Sequence, residues 1–150
     1  MYQLPHVANA ILYRAKAEDI PITQVKLQKM LYFLYKQYYL DHKVPLFSER
    51  FEPWTYGPVV TDVFYALRKY KGKPITGYCP DANGHLAMVR PELMTDLEPS
   101  FNRTWERYKR YTGKQLTDLT HKPGSAWNKA VEANLPYLRD EDIAAEPILT

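Results

Sequence analysis

The sequence predicts a mainly α fold, α+β at most: a compact single-domain helical bundle around a central helix at about 24–41, with a small β-hairpin near 75–90. Three observations predict it. Apolar residues recur at helical spacing through most of the chain. Twelve prolines and six glycines among 150 residues divide those stretches into short elements. Asn83-Gly84, a strong hairpin-turn pair, separates two short apolar runs.

The composition supports a core. With 45% hydrophobic and 25% charged residues, the chain has the balance of a globular domain and not of a disordered tail. Its length is that of one domain, so residues 1–150 are read as a single unit. Cys79 is the only cysteine, which rules out an intramolecular disulfide and a cysteine-based zinc site. No signal peptide or membrane-spanning run is evident, so the expected setting is the cytoplasm.

The elements follow in order. Leu4, Val7, Ala8, Ile11, Leu12 and Ala15 make residues 4–18 an amphipathic helix. Thr23 is placed to cap a second helix, in which Leu27, Met30, Leu31, Leu34, Tyr35 and Tyr38 share one broad face, extended by Tyr32 and Tyr39. So wide an apolar arc predicts a central helix packed on two sides. The segment around Phe51, Pro53 and Thr55 reads as a short, edge-like extended stretch. Pro58 is suited to open a third helix carrying Val60, Val63, Phe64 and Leu67, stopped at Gly72. Residues 75–78 and 85–89 would then pair across Asn83-Gly84. Pro91 opens a fourth helical region that Pro99 interrupts, and Phe101, Trp105 and Tyr108 continue it to Gly113. A short helix at 115–120 and a last one capped by Ser125, with Trp127 and Val131, complete the chain. The acidic tail at about 136–150 reads either as a docked final turn or as a loose end.

The search for chemistry is largely negative. The patterns G-x-x-x-x-G-K-[ST], G-x-G-x-x-G, H-E-x-x-H and G-x-S-x-G do not occur. His6, His42, His85 and His121 fall on separate elements, without the spacing of a metal site. We therefore expect no catalytic residue, no metal, no cofactor and no enzymatic activity. The enzymatic alternative would rest on Cys79 or His121, with Asp118 one turn back from the imidazole. A net charge of +3 spreads over interleaved signs. Only Lys69 to Lys73 and Arg103 to Arg110 offer a basis for the other alternative, a nucleic-acid-binding regulator of a mobile-element or phage-associated operon.

Three blocks carry a resemblance. They are Lys26-Leu27-Gln28-Lys29-Met30-Leu31-Tyr32-Phe33, then Phe51-Glu52-Pro53-Trp54-Thr55-Tyr56-Gly57-Pro58-Val59-Val60, then Leu116-Thr117-Asp118-Leu119-Thr120-His121-Lys122 followed by Trp127. Their order and spacing over about 4–133 resemble the Panacea domain of SocA-like antitoxins, which are related to phage-associated GepA proteins. The resemblance implies a compact helical fold and the role of antitoxin in a type II toxin–antitoxin module. It implies a cognate toxin protein as partner, bound directly, and in one branch of the family an ATP-dependent protease to which the toxin is delivered. Ala126 departs from the family pattern, in which a proline often precedes the tryptophan.

Within these blocks, Leu27, Tyr32, Trp54, Tyr56, Gly57, Pro58, Thr120, His121 and Trp127 read as scaffold: a stiff corner at Tyr56-Gly57-Pro58 and a tie between late helices at His121 and Trp127. The expected partner-binding residues lie on the polar strip of the central helix, where Lys26, Lys29 and Lys36 surround Phe33. The plainer reading of Phe33 is that a loop or the C-terminal part covers it.

Overall fold

The structure is a computed structural model that describes residues 1–147. Its helices start where local chemistry allows. α1 (Leu4–Ala17) places Pro5 in its first turn, where no backbone donor is needed, and buries Leu4, Val7, Ala8, Ile11, Leu12 and Ala15. α2 (Gln24–His42) is capped by Thr23, whose hydroxyl accepts from the Lys26 N–H at 3.3 Å. It ends at Lys43 in a left-handed conformation.

Thirteen of the nineteen residues of α2 are buried. This is more than the predicted arc, because neighbours surround the helix. α1, α3 (Thr61–Ala66), α4 (Glu98–Tyr108), α5 (Gly113–Thr120) and α7 (Asp140–Ala145) all pack on it. α6 (Ala126–Glu132) bridges α5 and α7 and starts at Ser125, whose hydroxyl accepts from the Asn128 N–H at 3.1 Å. With the short 3₁₀ turns included, the described residues are 52% helical, and the helices share one apolar core.

The hairpin is real but lies elsewhere. β1 (Glu52–Trp54) pairs antiparallel with β2 (Gly57–Val59), Pro53 opposite Pro58 and Trp54 opposite Gly57, around the two-residue tip Thr55-Tyr56. Residues 75–90 form no strand pair, because other partners claim their backbone. Asn9, fully buried in α1, donates to the Cys79 and Ala87 carbonyls at 2.9 and 2.7 Å and accepts from the Cys79 N–H at 2.7 Å. The Val89 N–H goes to the His6 carbonyl and the Ile75 N–H to the Ile22 carbonyl. A buried side chain that satisfies these groups leaves no ladder to form.

Smaller differences have similar causes. Pro58 sits in β2 and the third helix waits until Thr61. Pro91 opens only a single 3₁₀ turn, and Pro99 lies in the first turn of α4, so it starts that helix instead of interrupting it. Gly113 begins α5, behind a capping box of Thr112 and Gln115. The acidic tail docks: α7 packs on α2 and α6, and Glu146 enters the core. Residues 148–150 of the expected tail lie outside the described residues.

Candidate functional site

The three motif blocks meet at Gly57. Its φ of 110° is open to glycine, and a Cβ there would stand 2.7 Å from both Lys29 Cε and Thr120 Oγ1. The first block supplies the lysine, the second the glycine and the third the threonine. Around this point the hairpin, only two strands and thus marginal alone, is held by side chains. Gln28, itself buried, accepts from the Val60 N–H at 2.9 Å and donates to the Val60 carbonyl at 3.2 Å. Lys29 Nζ donates to the Pro58 carbonyl at 3.1 Å, and Trp127 Nε1 donates to the Trp54 carbonyl at 2.6 Å. His121 stacks on Trp127, with ring centres 3.9 Å apart.

Electrostatics follow burial. Desolvation lowers the Lys29 pKa to about 7. It also holds the His121 imidazole below its ordinary range, and the nearby Lys29 pushes in the same direction. His121 Nε2 is buried without a hydrogen-bond partner.

Beside the hairpin lies a groove of about 390 Å³. α2 contributes Gln24, Val25, Gln28 and Lys29 to it, the hairpin Trp54 and Tyr56, and α3 Phe64. Two lining residues leave the lip apolar and open, Tyr56 at the hairpin tip 71% exposed and Val25 40% exposed, and Tyr65, the chain neighbour of the lining Phe64, is 54% exposed. Tyr65 packs edge-on against Phe64, which in turn meets Trp54 at 4.8 Å. Gln24 is buried, its amide nitrogen held by the Phe64 carbonyl at 3.1 Å and its Oε1 without a partner.

The predicted residues are therefore redistributed. Lys26, Lys29, Phe33 and Lys36 are all buried, so α2 presents no exposed Lys-Phe strip to a partner, and of the four only Lys29 borders the groove beside the hairpin. Phe33 stacks on Tyr108 of α4 at 4.3 Å. Lys26 Nζ donates to the Lys109 carbonyl and Lys36 Nζ to Glu146. Helical spacing could not show this, since α4 and the C-terminus come from far along the chain. Of the residues read as scaffold, Leu27, Tyr32, Gly57, Pro58 and Thr120 are buried, and Trp54, His121 and Trp127 are half-buried. Tyr56 is the exception, because the turn that was read as a strand-to-helix corner is a hairpin tip.

Sequence reasoning missed Gln24, Gln28 and Glu146. A signal existed for the two glutamines, which lie in the first turns of a helix whose other faces are apolar. Glu146 gave none. Its carboxylate accepts from Tyr32 Oη at 2.6 Å, Lys36 Nζ at 3.1 Å and the Ala126 N–H at 2.9 Å. The alanine at 126 matters here, because a proline has no N–H to give.

Two other candidates look different in place. The Cys79 thiol is buried and pushed up to about 11, away from the thiolate that nucleophilic chemistry uses. Two of the four cations in the basic run at 103–110 are paired within the fold: Arg103 with Asp41 at 3.7 Å, and Lys109 with Glu18 and Glu106 at 3.0 Å each. Among the described residues no group of three potential metal ligands occurs, and no helix is long and apolar enough to cross a membrane.

A helix-centred fold in which three separate blocks close on one glycine is a specific arrangement, and the chain belongs to the family that carries these blocks: residues 27–128 match the SocA-like antitoxin family, Panacea domain. It is similar to the Antitoxin SocA of Caulobacter vibrioides (strain NA1000 / CB15N), 32% identical over 133 residues that cover 87% of this chain and 70% of that protein. No solved structure matches it significantly.

Proposed function

We propose that the chain is the antitoxin of a type II toxin–antitoxin module and neutralises a cognate toxin protein by direct contact, with the aromatic groove beside the hairpin as its docking face. The family membership supports the role. The observation that carries the docking face is Tyr56, a large aromatic side chain left 71% exposed at the mouth of a groove lined by Trp54 and Phe64. Exposed tyrosine beside tryptophan, over a pocket, is the composition of interface hot spots. The hairpin carrying Tyr56 is fixed to α2 and α6 by Gln28, Lys29 and Trp127, so the side chain is presented on a braced support.

In this reading the chain acts in the cytoplasm by binding alone, without cofactor or reaction. The test is co-expression with the product of the adjacent gene. That product should be toxic alone, harmless with this chain, and should co-purify with it; toxicity that persists despite soluble co-expression would refute the proposal. Delivery to an ATP-dependent protease is a separate step, read by whether the half-life of the toxin shortens when the antitoxin is present.

A further inference from the structure

Two buried lysines on α2 lie seven residues, or two helical turns, apart and are treated differently. Lys36 meets Glu146 at 3.1 Å, a carboxylate of its own chain. Lys29 is 1% exposed and forms no ion pair among the described residues; its ammonium has three N–H groups and gives one to the Pro58 carbonyl. A buried cation without a counter-charge is costly, and a methionine would fill the same space without that cost. Yet Lys29 lines the groove, as does Gln24, whose Oε1 is unpartnered.

We infer that the groove reads an acidic side chain. An Asp or Glu of the bound toxin, next to an apolar residue, enters under Tyr56 and supplies to Lys29 the carboxylate that Glu146 supplies to Lys36. The adjacent backbone N–H of the toxin donates to Gln24 Oε1. The apolar neighbour packs against Val25, Trp54 and Phe64. The occupant is a protein carboxylate and not a phosphate backbone, because Lys29 is the only cation lining this apolar groove among the described residues. The inference rests on the groove being the docking face.

The charged groups near Lys29 on the elements packed against it are few. From α5 come His121 and, beside it, Asp118; β2 offers only the Pro58 carbonyl and Gly57. Burial and the Lys29 charge hold the His121 imidazole below its ordinary range, so the titration is read from pH 6.5 upward.

The experiment measures the affinity of the purified chain for the adjacent gene's product by calorimetry. It uses the parent, Lys29→Met and the lip variant Tyr56→Ala, with melting points recorded for each. Lys29→Met should bind at least tenfold more weakly at pH 6.5, where the parent lysine is charged, with a cooperative melting curve showing that it folds. Parent affinity should fall about tenfold from pH 6.5 to 8.5 as Lys29 loses its proton, and Lys29→Met should show no such fall. If Tyr56→Ala weakens binding while Lys29→Met does not, the acid-reading role is overturned and the docking face stands. If neither variant weakens binding, the docking face falls with it. Should Lys29→Met fold poorly, a flat pH profile of the parent alone overturns the inference.

Discussion

The Lys36 ammonium and the Glu146 carboxylate meet at 3.1 Å inside the protein, 110 residues apart in sequence. This pair joins the middle of the central helix to the last described turn of the chain. The same carboxylate also holds the Tyr32 hydroxyl and the first N–H of α6. The C-terminal segment is therefore part of the scaffold on which the groove is built.

Glu146→Ala removes one partner of a buried pair and leaves Lys36 uncompensated. The expected loss is about 3–5 kcal/mol, which for a domain of this size lowers the melting temperature by on the order of 10 °C. Replacing both partners, Lys36→Met with Glu146→Leu, should recover most of it. Thermal unfolding of the two variants checks this.

Gly57→Ala should destabilise through two effects. The backbone at φ 110° strains any L side chain, by roughly 1–3 kcal/mol. The new methyl group would also press on Lys29 and Thr120. Chemical denaturation should show a lower midpoint with an unchanged slope.

Lys29 makes stability depend on pH. Its folded pKa, about 7, lies below its ordinary 10.5, so the unfolded chain binds the proton more tightly. The stability is fully present above pH 10.5, is lost as pH falls, and the loss is complete below about 7. Between pH 9 and pH 6 the parent should lose roughly 2–3 kcal/mol that Lys29→Met does not lose. Melting curves of both proteins across that range compare them directly.

The parts legible in the sequence were those governed by neighbours along the chain. The apolar period located α1 and α2, the caps at Thr23 and Ser125 set two helix starts, and the breadth of the α2 arc indicated a central helix. What was not legible came from distant partners. Asn9 holds the 75–90 segment across 70 residues and prevents its pairing, Tyr108 covers Phe33, and Glu146 comes from the C-terminus. A helical wheel shows which residues share a face; it does not show how many faces will be covered. The groove was half visible for this reason. Its motif residues were recognised, but Tyr56, read as part of a stiff corner, stands 71% exposed, and of the two readings of Phe33 the covered one holds, with Tyr108 of α4 as the cover.

One measurement tests the groove as the toxin-binding face most directly. Cells co-expressing the adjacent gene's product with the double variant Tyr56→Ala, Tyr65→Ala should stop growing, while the purified variant melts within about 2 °C of the parent, since neither side chain is in the core. Full protection of growth by the double variant, at equal expression, would contradict the assignment of the groove as the toxin-binding face.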